Sequence, residues 1–292
     1  MPTLREVQKR IRSTINTRQI TKAMEMVAAA KLRKAQMKIM QVRPYSEKLT
    51  TILSHLSEAA SGELVHPFFE KREVKKRTLV LVTSDRGFCG SFNSNLIRLA
   101  NKWLGDQNKE DVELILVGKK GIDFFKRRDW NIVETFMDWS GNLDYTKARN
   151  LVDLLTKRFL NGETDEISVI YTQFLSTARY KIVDVPYLPV ENLEEVQGEE
   201  DQQKSNLDYI FEPSPEAIFT DIMPKYALTK MITALADSFA SEHGTRMMAM
   251  GSATQNAGEM IDSLTLQYNK ARQAAITKEL LEIVSGAEAL NG

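Results

Sequence analysis

The chain has 292 residues, of which 42% are hydrophobic and 27% charged, enough for a globular core and a length that points to about two domains. No stretch approaches the roughly 18 consecutive apolar residues of a membrane span, and the polar, basic N-terminus lacks the apolar centre of a secretory signal. Net charge is zero, the single cysteine (Cys89) excludes an intrachain disulfide, and His55, His66 and His243 are too scattered for a metal cluster, so a cytoplasmic chain is expected, whatever it docks onto.

No glycine or proline lies between Pro2 and Pro44, and Ala, Met, Lys, Arg and Gln dominate, which predicts a helix from about Thr3 to Arg43. Alternating steps of three and four give the seam Leu4, Val7, Ile11, Thr14, Arg18, Thr21, Glu25, Ala28, Leu32, Ala35, Ile39 and Val42. Eight of these twelve are apolar, a coiled-coil stripe interrupted in its middle, where the apolar side drifts to Ile20, Met24 and Val27. Through Arg43 this segment carries eleven Lys/Arg against Glu6 and Glu25, a net of +9. Such a charge either steers an acidic partner or simply solvates a helix face. Pro44 should kink the helix rather than end it, because Leu49, Ile52, Leu53 and Leu56 continue the period; Gly62 and Pro67 should end it.

The middle of the chain reads differently. Thr78 to Thr83, Leu114 to Val117, Ile132 to Phe136, Ile167 to Tyr171 and Ile182 to Val185 read as short strands, the first two being the continuous apolar runs of strands covered on both faces. Helical stretches near Phe92 to Leu104, Gly118 to Arg128 and Tyr145 to Leu160 separate the first four, so a small, mostly parallel sheet with helices on it is predicted. From Glu191 to Glu216 nine acids stand against Lys204, a net of −8, and Gly198 to Ser205 reads as an acidic, Gln-rich mobile loop.

After Pro213, Ser214 is placed as an N-cap with Pro215 at the first helical position and Glu216 in the first turn. Pro224 is a candidate kink, and no further proline interrupts Lys225 to Ser285. The seam here is Ala236, Ala240, His243, Met247, Met250, Thr254, Ala257, Ile261, Leu264, Tyr268, Ala271 and Ala275. Its small residues would admit a second helix closely, and Gly244, Gly251 and Gly258, at seven-residue spacing beside it, point to the same close contact. Antiparallel pairing of the two long helices would set Ile11 against the stretch from Tyr268 to Glu282.

The segment most like an enzyme loop is Asp85-Arg86-Gly87-Phe88-Cys89-Gly90-Ser91-Phe92-Asn93, a glycine-bearing turn between a strand and a helix. Such a turn can hold a phosphate at a helix N-terminus. It has neither the GxxxxGK[ST] nor the GxGxxG spacing, and Gly118-Lys119-Lys120-Gly121 fails the same tests, so a tight structural turn is expected. Cys89 has no His/Asp pattern around it and reads as a structural thiol. Carboxylate pairs such as Asp184 with Glu191 have no distinctive spacing. No catalytic, cofactor-binding or metal-binding residue is expected.

The distinctive patterns lie on the long helices. Thr21-Lys22-Ala23-Met24-Glu25-Met26-Val27-Ala28-Ala29-Ala30-Lys31-Leu32-Arg33 resembles the N-terminal signature of the gamma subunits of F-type rotary ATP synthases. Ser241 to Thr254, Tyr268 to Thr277 and Glu282 to Ala287 are similar to the same family, and Asp85 to Asn93 resembles its RGLCGSFN element with Phe88 in place of leucine. The resemblance spans the whole length and favours the bacterial type. No transit-like leader is visible, and Cys89 alone cannot perform the thiol regulation of chloroplast relatives, which insert a cysteine pair.

The resemblance implies a long antiparallel coiled coil of the terminal helices (1–61 and 213–292) plus a small Rossmann-like α/β foot (62–212). It implies a non-catalytic rotor shaft inside an alpha–beta hexamer, seated with the epsilon subunit on the membrane c-ring and touching a delta-linked stator only indirectly. Its place would be the cytoplasmic side of the cell membrane. Met24 matches a position against an acidic loop of the beta subunit, Arg246, Arg272 and Gln273 match polar coupling positions, and Leu207 to Phe211 resembles the stretch near the c-ring. Two other readings remain on the residues alone. A ligand-binding enzyme on the central sheet would bind through roughly Arg77 to Val190. A nucleic-acid-binding coiled coil would use the basic helix, although that helix lacks base-stacking aromatics in its first forty residues.

Overall fold

A computed structural model describes residues 3–59, 66–177, 179–190, 212 and 214–291. Gly62, Pro213, Glu191, the acidic loop at Gly198 to Ser205 and the stretch Leu207 to Phe211 lie outside the described residues. Two long helices, α1 (Leu4–Ala59) and α5 (Pro215–Asn291), flank a sheet region. The chain divides into two compact units, residues 1–28 with 247–292 and residues 29–246.

In the first unit α1 and α5 pack antiparallel. The Thr254 hydroxyl donates to Thr21 Oγ1 at 2.9 Å, and Thr14 Oγ1 lies 3.9 Å from Met260 Sδ, so one residue number rises as the other falls. From Leu4 to Ala28 every predicted seam position except Arg18 is buried or half-buried, and so is every one from Met247 to Ala275. Of the three positions of the expected drift only Met24 is half-buried; Ile20 and Val27 are 60% and 58% exposed. Thr21, Glu25 and Ala28 keep the contact, because a threonine pair bonds across the seam and Gly251 leaves space beside the Glu25 carboxylate, 3.7 Å from where its Cβ would stand. The glycine stripe does not act as one feature, since Gly258 faces open space.

The register also corrects one expectation. With Thr21 on Thr254 and Thr14 beside Met260, Ile11 falls near Leu264 rather than within Tyr268 to Glu282. Because α1 starts at Leu4, α5 outruns its partner near residue 272, and Ile276, Leu280, Leu281, Ile283 and Val284 are all at least half exposed.

The second unit is built on a five-stranded sheet of β1 (Arg77–Val82), β2 (Val112–Val117), β3 (Asn131–Phe136), β4 (Glu166–Ser176) and β5 (Arg179–Leu188), in the order β3-β2-β1-β4-β5. The first four are parallel and β5 runs antiparallel to β4. Alternation along β1 sends Val80 and Val82 to one face and Leu79 and Leu81 to the other, and β2 divides likewise with Ile115 and Val117 against Leu114 and Leu116. Both faces are therefore dry, which is why these strands are unbroken apolar runs. Helices α2 (Phe92–Gly105) and α3 (Lys119–Phe125) cover one face through Phe92, Leu96, Ala100 and Phe125. The other is covered by α4 (Tyr145–Leu160) together with Leu53 and Leu56 of α1 and Phe219, Met223, Met231, Leu235 and Phe239 of α5.

Pro44 and Pro224 lie inside continuous helices with their rings exposed, where water can satisfy the carbonyl that each leaves unpaired. Ser214 caps α5, its Oγ accepting from the Ala217 N–H at 3.3 Å. Strands β4 and β5 run further than their apolar runs predict. At one end Tyr187 and Leu188 join the core, and at the other Thr172 to Ser176 and Arg179 to Lys181 form a largely polar ribbon that reaches α5, with the Thr172 N–H donating to Ser238 Oγ at 3.0 Å. Gly244 serves this contact, since a Cβ there would stand 3.1 Å from the Thr177 carbonyl oxygen. The close approach it permits is to the ribbon.

Candidate interaction site

The turn after β1 is held from several sides. The Ser84 N–H and Oγ both reach Asn93 Oδ1 at 3.0 Å, fixing the entry to α2. One oxygen of Asp85 accepts from the Lys119 N–H at 3.1 Å and the other from the Ser140 N–H at 2.7 Å, so the loops after β1, β2 and β3 meet on one carboxylate. Phe88 takes a left-handed φ of 60° and Gly90 one of 56°, and Phe88 is 71% exposed. A non-glycine residue in that region is uncommon, and here the surrounding bonds impose it. Cys89 is buried, and burial pushes its thiol pKa up, which suits the structural role expected of it.

The carbonyls of this turn point at α5 rather than into a ligand space. Arg246 donates from Nη2 to the Arg86 carbonyl at 3.1 Å and from Nε and Nη2 to the Gly87 carbonyl at 3.2 Å. Its Nη1 pairs with Glu242 at 2.8 Å and reaches His243 Nδ1 at 3.3 Å. Arginine has donors only, so Nδ1 accepts and the ring carries its proton on Nε2, which donates to the Gly141 carbonyl at 2.9 Å. Burial, with Arg246 and Lys31 nearby, lowers the His243 pKa to about 4 and keeps the ring neutral. Glu242 is almost wholly buried; desolvation raises its pKa while Arg246 pulls it back.

In an open α/β sheet, a ligand ordinarily sits in the crevice outside the carboxyl ends of the strands. Here residues 238–246 of α5 occupy that edge: Ser238 on β4, His243 on the loop after β3 and Arg246 on the turn after β1. The crevice is filled by the chain's own helix. An open groove of about 610 Å³ lies elsewhere, between α2 and α3, lined by Arg98, Lys120, Asp123, Phe124 and Arg127 among others. Among the described residues no group of three His, Cys, Asp or Glu is placed to hold a metal ion.

The four residues singled out by resemblance do not form one cluster. Met24 is half-buried on α1, at the level of Gly251 on α5. Arg272 and Gln273 are exposed and lie about 30 Å farther along α5, taking 1.5 Å per residue. Arg246 belongs to the other unit, only 9% exposed and committed to Glu242 and the turn. Sequence reasoning did not single out Glu242, Lys31 or the polar role of His243. The available signal was the i,i+4 spacing of Glu242 and Arg246, a helix ion pair in a stretch from Ser238 to Gly258 with no other Asp, Glu, Lys or Arg.

A family model described as ATP synthase matches residues 3–290. The ATP synthase gamma chain of Heliobacterium modesticaldum is 44% identical over 292 residues, covering 99% of this chain and all of the relative. That of Moorella thermoacetica is 46% identical over 290 residues, with 99% and 100% covered. The chain belongs to the ATP synthase gamma chain family. Its fold is also that of a chain in the Euglena gracilis mitochondrial ATP synthase rotor, in rotational state 1, with a TM-score of 0.66, 19% identity and 94% and 98% coverage. A chain in the Tetrahymena thermophila mitochondrial central stalk and c-ring structure aligns with a TM-score of 0.59 and 24% identity over 80% of this chain and 99% of that one. Gamma chains are non-catalytic subunits that serve as the central rotor shaft of the membrane ATP synthase. The family membership disfavours both the ligand-binding enzyme and the nucleic-acid-binding coiled coil. The chain is a peripheral subunit of that membrane complex, and none of its described helices is long and apolar enough to cross a membrane.

Proposed function

We propose that the paired terminal helices turn within a collar of alpha and beta subunits, and that the α/β region, with an epsilon subunit, rides on a membrane c-ring at the cytoplasmic face of the cell membrane. Residues 1–61 and 213–292 act as the shaft and residues 62–212 as the foot, and ion flow through the ring drives ATP synthesis at the beta sites. The observation that carries this reading is the end of α5, where Leu280, Leu281, Ile283 and Val284 stand 58–68% exposed past the level at which α1 begins. Isolated apolar side chains on a surface are ordinary, but a contiguous set marks an interaction site. A surrounding collar would cover them.

Met24, Arg272 and Gln273 are the contacts assigned to the collar. Arg272 and Gln273 sit where the helix pair becomes a single helix, free to reach carboxylates and carbonyls at successive angles. Arg246 acts at one remove, by fixing the turn that presents Phe88. A contact couples only if it differs in energy between shaft angles. Replacing Arg272 and Gln273 together by alanine therefore leaves the complex assembled but lowers coupled ATP synthesis and hydrolysis severalfold. An assembled double variant with normal rates would remove these two residues from the coupling surface.

A further inference from the structure

The rotor reading requires the sheet region to turn with the long helices, and one cluster is built to hold them together. Two loops at the carboxyl edge of the sheet converge on polar groups of α5 and α1. The turn after β1 gives two carbonyls to Arg246, the loop after β3 gives the Gly141 carbonyl to His243, and the Ser140 carbonyl accepts from Lys31 Nζ at 3.1 Å. Asp85 ties those loops to each other and to the start of α3. The side chains of Glu242, His243 and Arg246 are almost wholly removed from water, so their bonds are not screened as surface pairs are. Gly141 has φ +70°, and a Cβ on it would overlap the His243 imidazole, so the backbone is shaped to receive that ring.

We propose that His243 is the positioning residue of a torque lock, in which Glu242, His243 and Arg246 clamp the loops after β1 and β3 so that the sheet and the long helices turn as one. Such a lock matters only in a chain that turns as a rotor. His243 is the link because it faces both ways: Nε2–H holds the Gly141 loop while Nδ1 orients the guanidinium that holds the Arg86–Gly87 turn. The apolar contacts of α5 with the sheet resist separation, but a greasy interface resists sliding less well than bonds of fixed direction. The lock supplies the direction.

The test uses the reconstituted complex in vesicles, comparing wild type with His243→Leu and His243→Gln. Glutamine keeps one donor and one acceptor; leucine keeps only volume. His243→Leu is expected to retain ATP hydrolysis while ion pumping per ATP falls at least threefold, and His243→Gln to recover most of that ratio. A leucine variant that pumps at the wild-type ratio, or a glutamine variant as uncoupled as leucine, overturns the proposal. Should the leucine variant not assemble, amide exchange on the purified full-length chain decides. Faster exchange at Lys119 and Ser140 in the leucine but not the glutamine variant supports the lock, and equal protection in both overturns it. Failure of the rotor reading looks different, because the wild-type complex itself would then show no ATP-driven pumping.

Discussion

Replacing Arg246 by leucine removes the cation from a pair whose carboxylate is 3% exposed. Three hydrogen bonds to the Arg86 and Gly87 carbonyls disappear with it, as does the one to His243. Breaking a buried pair from one side costs about 3–5 kcal/mol, because the remaining charge keeps its desolvation penalty. Glu242 has one escape, to take up a proton, and burial already pushes its pKa upward. Each pH unit by which that pKa still lies below the working pH adds about 1.4 kcal/mol, so protonation caps the loss and favours the low end of the range at pH 6. Urea unfolding followed by tryptophan emission reads the sheet unit directly, since Trp103, Trp130 and Trp139 all lie within it. Glu242→Leu combined with Arg246→Leu should lie within about 2 kcal/mol of wild type, as it buries no charge. A single variant losing under about 1 kcal/mol, or a double variant losing at least the sum of the singles, would refute the view that the pair is a desolvated unit.

The other predictions address separate features. Cysteines at Thr21 and Thr254 should cross-link efficiently under mild oxidation while Thr21 with Gly258 should not; the reverse preference would show the register to be displaced by a turn. His243 is neutral when folded and titrates near its ordinary value when unfolded, so the unfolded chain binds more protons between about pH 6.5 and 4. Wild type should therefore lose up to about 3 kcal/mol relative to His243→Gln as pH falls through that window, and parallel stability curves would contradict the neutral-ring assignment. Cys89 should resist thiol reagents in the native chain and react once urea has unfolded the sheet unit, whereas fast native labelling would place the thiol at the surface.

Much of the architecture was legible because period and punctuation agree. Five short runs rich in β-branched and apolar residues mark the five strands, and the three-four seam marks nearly every contact position of α1 and α5. Ile20 and Val27 misled because apolar character alone does not choose a helix face; Thr21 and Thr254 won the contact through a hydrogen bond that hydropathy cannot register. The polar ends of β4 and β5 were unreadable for a related reason, since they pack on α5 through Thr172 and Ser238 rather than through apolar side chains. At the carboxyl edge of the sheet, the turn at Asp85 to Asn93 was legible as a structural turn, but its partner on α5 was not. Nothing local announces that a carbonyl accepts from a guanidinium about 160 positions later.

The cover over one face of the sheet is drawn from both ends of the chain, Leu53 and Leu56 from α1 and Phe219 to Phe239 from α5. During synthesis the first of these emerges before any strand exists and the second only after every strand is complete. Val80, Val82, Ile115 and Val117 therefore have only part of their cover, from α4 and from Leu53 and Leu56, until some 239 of the 292 residues have left the ribosome. At the usual pace of about 5–20 residues per second, at least seven seconds separate the end of β1 from the arrival of Phe239. A nascent chain with an incompletely covered apolar sheet face for that long is a substrate for aggregation or for a chaperone. The connectivity that draws the cover of the sheet from both ends of the chain also makes the half-made protein dependent on company.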